Sequence, residues 1–162
     1  MLEGIPAERR LWEWRHLNSR LSLDTEVIYR DENKRRITAL AVDQAGRWLA
    51  VSREGAAVVL DPENNNEPIY LPACSSGGSA LPAWPIVSPD GRMVGDVAGD
   101  VGRRSIRIWL MSHLAEGRPP LFDWPTQLNS IATFHPQRRI LASADGNGCI
   151  RLWDLEHVAD AA

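Results

Sequence analysis

The chain has 162 residues, 44% of them hydrophobic, and its 18 Lys and Arg against 21 Asp and Glu leave a net charge of −3. That supplies apolar sequence for the core of one domain, whereas Arg residues interleaved with acids do not form the clustered positive surface that nucleic-acid binding needs. The N-terminus lacks an apolar signal core, and prolines at 68, 72, 82, 85 and 89 break the uncharged stretch 68–89, so neither a secretion signal nor a membrane helix is expected and the location implied is cytoplasmic.

The first element in chain order is a helix. Pro6 suits the first helical position, and Trp14, Leu17 and Leu21 recur at three- and four-residue steps. Arg9, Arg10, Arg15 and Arg20 are balanced by Glu3, Glu8 and Glu13 on a solvated face. Residues 1–25 therefore form a helical lead-in, expected to dock over an open edge of the rest of the chain. Residues 26–162 form the main domain. It opens with a lone strand at 26–29, followed by a solvated loop in which Lys34-Arg35-Arg36 follows Asp31-Glu32.

Three copies of one pattern come next. Each begins with a short strand and a tight turn: ITALAV with Asp43-Gln44-Ala45-Gly46, WPIV with Ser88-Pro89-Asp90-Gly91, and IATF with His135-Pro136-Gln137-Arg138. Ser-Pro-Asp-Gly fits a type I turn, with a polar acceptor first, Pro fixing φ at the second position and Gly fourth. A second strand follows (48–52, 93–97, 140–143), then a polar turn and a third strand (56–60, 105–109, 149–153). The third strands close on Leu60-Asp61, Trp109-Leu110 and Trp153-Asp154, and Asp61, Leu110 and Asp154 are spaced 49 and 44 residues apart, near the roughly 40–45-residue period of a four-stranded propeller blade. Residues 67–71 and 121–124, hemmed by proline, suit outer edge strands. Apolar residues on both faces of the second and third strands predict sheets covered on both sides, as in stacked blades.

Ser-Pro-Asp-Gly, Leu-Ala-Ser-Ala and Ile-Arg-Leu-Trp-Asp resemble the WD40 repeat family over residues 26–158. The resemblance implies an all-β fold, a partial WD40-type β-propeller of about three four-stranded blades with a short N-terminal helix, used as a protein-binding scaffold. It also implies a polar set in each blade made of a Gly-His loop, a strand Ser, a turn Asp and the Trp. Here no Gly-His precedes any copy, Asn147 and Glu54 stand at the turn Asp, and Leu60 replaces the first Trp, so packing is expected to carry the blades. Residues 6–17, PAERRLWEWRHL, are similar to the lead-in before propeller tails of large multidomain bacterial signalling proteins, often protein kinases.

No catalytic residue, cofactor or metal site is expected. Ser143, Asp145 and His135 lack a nucleophile elbow or oxyanion loop, 95–100 lacks the lysine and helix start of a phosphate loop, and Cys74 and Cys149 lack metal-ligand spacing. Trp48, Trp109 and Trp153 are expected between blades. Trp84 and Trp124, beside prolines near connections between blades, are candidate partner-binding residues because Trp is enriched at interface hot spots. Arg53, Glu54, Arg103 and Arg104, in the turns between second and third strands, are candidates to join them.

Three blades fall short of the 4–8 that close a ring, and the third copy lacks an outer strand. The chain is therefore expected to be a piece or tail of a larger signalling or regulatory assembly, or to associate with itself through open blade edges. The competing readings are a truncated product without an independent role and an enzyme using the channel; the first strands offer the latter no inward acid or histidine.

Overall fold

The computed structural model describes residues 27–53, 56–62, 67–73, 81–100, 104–126 and 130–156. The expected N-terminal helix, Glu54, Arg103 and Cys74 lie outside them. Contacts divide the chain into two units, 1–31 and 32–162. In the first, the Tyr29 hydroxyl donates to the Asp31 carboxylate at 3.4 Å, and residues 27–30 form no strand, contrary to the expectation for 26–29. A strand exists only within a ladder, and no ladder among the described residues includes this segment.

The second unit is an all-β fold of three antiparallel meanders. Blade 1 comprises β1 (Ile37–Val42), β2 (Leu49–Arg53), β3 (Ala56–Leu60) and β4 (Ile69–Tyr70). Blade 2 comprises β5 (Trp84–Val87), β6 (Met93–Gly99), β7 (Arg104–Leu110) and β8 (Phe122–Thr126), with a short helix α1 (Met111–Ala115) after β7 that the sequence pattern did not announce. Blade 3 contains β9 (Ile131–Phe134), β10 (Ile140–Ala144) and β11 (Ile150–Asp154). The first strands β1, β5 and β9 lie side by side, so the blades are stacked around one axis.

Strand alternation assigns each side chain to one of two cores. Ala50, Val59 and Leu71 of blade 1 pack with Val87, Val94, Trp109, Met111 and Leu114 of blade 2. On the opposite face of blade 2, Ile86, Met93, Val97 and Ile108 pack with Phe134, Leu141 and Leu155 of blade 3. Every residue of β6 is buried as a result. Gly95 sits at its centre because a Cβ there would lie 2.3 Å from the Arg107 carbonyl oxygen, a separation no side chain tolerates. Blade 3 departs from the expected double cover: Ile150 and Leu152 are exposed, because one face of its sheet has no neighbour among the described blades.

The first turns of the three blades are joined to one another. The Ser88 hydroxyl donates to Asp90 at 2.6 Å and accepts the Met93 N–H at 2.9 Å, while Gly91, at φ +67°, donates to the Ser88 carbonyl at 2.9 Å. From blade 1, the Gln44 N–H reaches the Pro89 carbonyl at 3.2 Å and the Arg47 guanidinium reaches the Asp90 carbonyl at 2.8 Å. From blade 3, Arg139 Nε lies 3.6 Å from the Asp90 carboxylate. Partial burial works against the Asp90 anion, but the Ser88 and Arg92 hydrogen bonds and the Arg139 and Arg92 charges outweigh it and hold the carboxyl below its ordinary value. A depressed carboxyl contributes stability above its unfolded pKa and loses it as pH falls through the folded one. We expect the Asp90 carboxyl, followed by NMR through an acid titration, to turn over below the usual aspartate range; a midpoint at or above that range would mean the turns are not joined through its charge.

Candidate interaction surface

The last residues of the second strands and the first of the third strands lie at the end of the blades opposite Asp90. Arg53, half-buried, closes β2 and stacks its guanidinium 4.5 Å from the Tyr70 ring centroid. Arg104 is buried at the start of β7, where its Nη2 donates to the Val97 and Pro82 carbonyls at 2.8 and 3.1 Å. Its role is to tie the connection entering blade 2 to the blade, not to present a free guanidinium. In blade 3 the corresponding turn is held by Asp145, whose Oδ1 accepts the Asn147 and Cys149 N–H groups at 3.0 and 3.1 Å. The Arg151 hydrogen bond and those N–H groups hold the Asp145 carboxyl below its ordinary value. The sequence reading placed the turn acid at Asn147; the structure gives that work to Asp145.

The two candidate tryptophans share one row of blade 2. Trp84 pairs with Val97, Val97 with Ile106, and Ile106 with Trp124, so all four side chains point toward blade 3. They end differently. Trp124 is half-buried in a stack, 4.6 Å from the Phe122 ring and 4.4 Å from the Trp153 ring, and so locks the outer strand of blade 2 to blade 3. Trp84, at the inner end of the row, is 46% exposed. Between the blades on this side a cleft of about 300 Å³ is lined by Ile106, Trp124, Thr126, Ser143, Asp145 and Arg151, among others.

The polar position inside each blade has three different solutions. In blade 3, Trp153 Nε1 donates to Ser143 Oγ at 2.9 Å, so the Ser–Trp half of the set expected to be broken is present. Register puts Asp96 at the Ser143 position and Arg107 at that of Arg151. These two form a buried bidentate pair, Arg107 Nε to Asp96 Oδ1 at 2.9 Å and Nη2 to Oδ2 at 2.7 Å, while Nη1 donates at 2.8 Å to the Pro72 carbonyl at the exit of blade 1. Burial pushes the Asp96 carboxyl up, and the Arg107 hydrogen bond and charge oppose it. Because Asp96 is committed to Arg107, the buried Trp109 Nε1 has no hydrogen-bond partner among the described residues; the Arg107 guanidinium lies 4.9 Å from its ring centroid instead. In blade 1 the same positions are Val51, Val58 and Leu60, wholly apolar. Sequence reasoning missed the Asp96–Arg107 pair, although an Asp and an Arg inside otherwise apolar strands were its available signal.

Among the described residues no three His, Cys, Asp or Glu side chains come together as a metal cluster, and no helix is long and apolar enough to cross a membrane.

A family model, the WD domain, G-beta repeat, matches residues 121–154. A search of curated proteins finds no match. Among solved structures the chain is similar to U3-55K (16% identity over 80% of this chain and 38% of that one, TM-score 0.58), to the WD40 repeats of RRP9 (17% identity, 83% and 39%, TM-score 0.56), and to TolB from Acinetobacter baumannii (15% identity, 76% and 31%, TM-score 0.54). The chain thus spans between about a third and two fifths of each of these proteins, and at such identities the likeness is one of fold. The matched segment begins with β8 of blade 2 and runs through β11, one strand out of step with the sheets. Residues 121–154 thus match one WD domain, G-beta repeat, and the chain has the fold of a partial β-propeller of three blades, similar in fold to these propeller structures.

Proposed function

We propose that the chain is a protein-interaction module, a tail or portion of a larger cytoplasmic signalling or regulatory protein, which binds a protein partner through the end of the blades that carries the turns between second and third strands. WD40 domains in general bind protein partners, which supports the class. The observation that carries the site is Trp84: its row-mates Val97 and Ile106 are buried, yet its own ring is left half in solvent. An exposed Trp on a rigid strand is the kind of anchor around which interface energy concentrates. Arg53 stands on the same end, with Glu54 and Arg103 next in sequence to the described turn residues; Trp124 and Arg104 support the surface from beneath. No catalytic step, cofactor, nucleic acid or membrane belongs to this reading.

A photo-crosslinking amino acid at position 84 or 53 tests it, with position 137 at the opposite end as control. The expected result is a discrete protein adduct in cells from 84 and 53 and none from 137. Equal labelling at all three, or none, would remove this surface from consideration.

Self-association is a second reading, favoured by β11. Leu155 N–H donates inward to the Arg139 carbonyl, so by strand alternation the N–H groups of Ile150, Leu152 and Asp154 point away from β10. No described strand pairs with that edge, and open edges recruit further strands. Leu152→Pro would remove an outward donor and leave the ladder to β10 intact.

A further inference from the structure

Deepening the interaction reading, and resting on it, we infer that the cleft between blades 2 and 3 is a socket for an arginine side chain of the protein partner. The joint between blades 1 and 2 supplies the comparison. There a guanidinium fills the space between the two sheets. Arg107 is bonded to Asp96 on its own blade and to the Pro72 carbonyl across the joint, and it lies 4.9 Å from the Trp109 ring centroid. Its side chain is only 7% exposed.

Register carries each part of that seat into the next joint. Ser143 stands at the Asp96 position, Arg151 at that of Arg107 and Trp153 at that of Trp109. On the facing blades, Leu71 bonds to Ala57 and Trp124 pairs with Ile106, an equivalent position, so Pro125 holds the place of Pro72. The guanidinium alone is displaced. Arg151 Nη1 bonds to Asp145 in the turn, and its side chain is 52% exposed, because Ser143 is neutral and offers it no countercharge. What is left is the cleft of about 300 Å³, with Ile106, Trp124, Pro125, Ser143 and Trp153 in its lining.

The chemistry of that seat selects the occupant. Indole rings attract a cation and not an anion, and a planar guanidinium both stacks on them and donates to hydroxyl and carbonyl oxygens. The Arg151 charge is balanced by Asp145, whose carboxylate is kept ionised by that bond and by the Asn147 and Cys149 N–H groups. An incoming carboxylate would meet a guanidinium already committed to an acid. A strand added to the free edge of β11 would extend blade 3 sideways, and a further blade would stack on its opposite face; neither fills a space between blades 2 and 3.

Indole N–H signals in ¹H–¹⁵N NMR spectra of the full chain, assigned through single Trp→Phe variants, test the inference with acetyl-arginine methylamide as the probe. The Trp124 and Trp153 signals are expected to shift saturably, while those of Trp48 and Trp109 in the other joint stay in place. Acetyl-citrulline methylamide, which keeps the shape and loses the charge, should bind about tenfold more weakly. Arg151→Met removes a neighbouring cation and should bind the probe at least as tightly; a thermal melt verifies its fold. Equal binding of citrulline, preference for acetyl-glutamate methylamide, or loss of binding in Arg151→Met would each overturn the socket. Protein adducts from positions 84 and 53 without any arginine-induced shift would overturn the socket and leave the interaction surface standing. Saturable arginine binding without such adducts would overturn the surface reading and leave the arginine site.

Discussion

Trp109→Ala is expected to be the most damaging truncation in the second unit, lowering stability by about 3–5 kcal/mol in urea unfolding. The indole is completely buried in the core shared by blades 1 and 2, and no small side chain can fill its space. Its indole N–H has no partner among the described residues, so the variant forfeits packing without losing a hydrogen bond to them, and Trp109→Phe should recover much of the loss. Trp153, at the equivalent place in blade 3, is half-buried and hydrogen-bonded to Ser143. Removing it should cost about 1–3 kcal/mol, less than removing Trp109, because part of its ring is already in solvent. Equal losses at the two sites would mean that blade 3 is covered more fully than its exposed side chains indicate.

The Asp96–Arg107 pair should show the opposite behaviour in single and double variants. Replacing Asp96 alone by Val leaves a buried guanidinium without its carboxylate and is expected to cost about 3–5 kcal/mol; Arg107→Val leaves the carboxylate stranded with a similar loss. The double variant Asp96→Val with Arg107→Val copies what blade 1 already has at Val51 and Val58, and an apolar pair in place of a buried ion pair is often neutral or stabilising. Denaturant unfolding of all three should give two unstable singles and a double near wild type. A double variant as unstable as Arg107→Val would show that the Arg107 bond to the Pro72 carbonyl, lost in these two variants, dominates the site.

The blade pattern was legible in the sequence because its signals are local. Ser-Pro-Asp-Gly forms the turn its residues dictate, the third strands of blades 2 and 3 end where Trp-Leu and Trp-Asp end, and all but the first residue of 121–124 lies on the outer strand of blade 2. What was not legible depends on neighbours from distant sequence. The stretch 26–29 has the composition of a strand, yet composition does not supply a ladder partner. Arg104 resembles a surface arginine until the Pro82 and Val97 carbonyls are placed beside it. Trp84 and Trp124 have the same local setting, a tryptophan next to proline, and only the position of blade 3 makes one a stacked strut and leaves the other half in solvent. Asp145 took the turn role assigned to Asn147 because hydrogen-bond geometry, not the count of residues from the strand, selects the acceptor.

The one-strand offset between the matched repeat and the sheets bears on where this protein can be cut or joined. A boundary drawn at residue 121, where the repeat begins, would hand β8 to the wrong fragment: blade 2 would keep Ile106 without Trp124 beside it, and the fragment starting at 121 would carry a proline-containing strand with no sheet of its own. The matched repeat therefore acts as a dovetail, donating one strand backward and three forward, so that blades 2 and 3 cannot be parted along it without breaking a ladder. Fusions, insertions and protease sites should be tolerated after Thr126, between sheets, and not before Phe122.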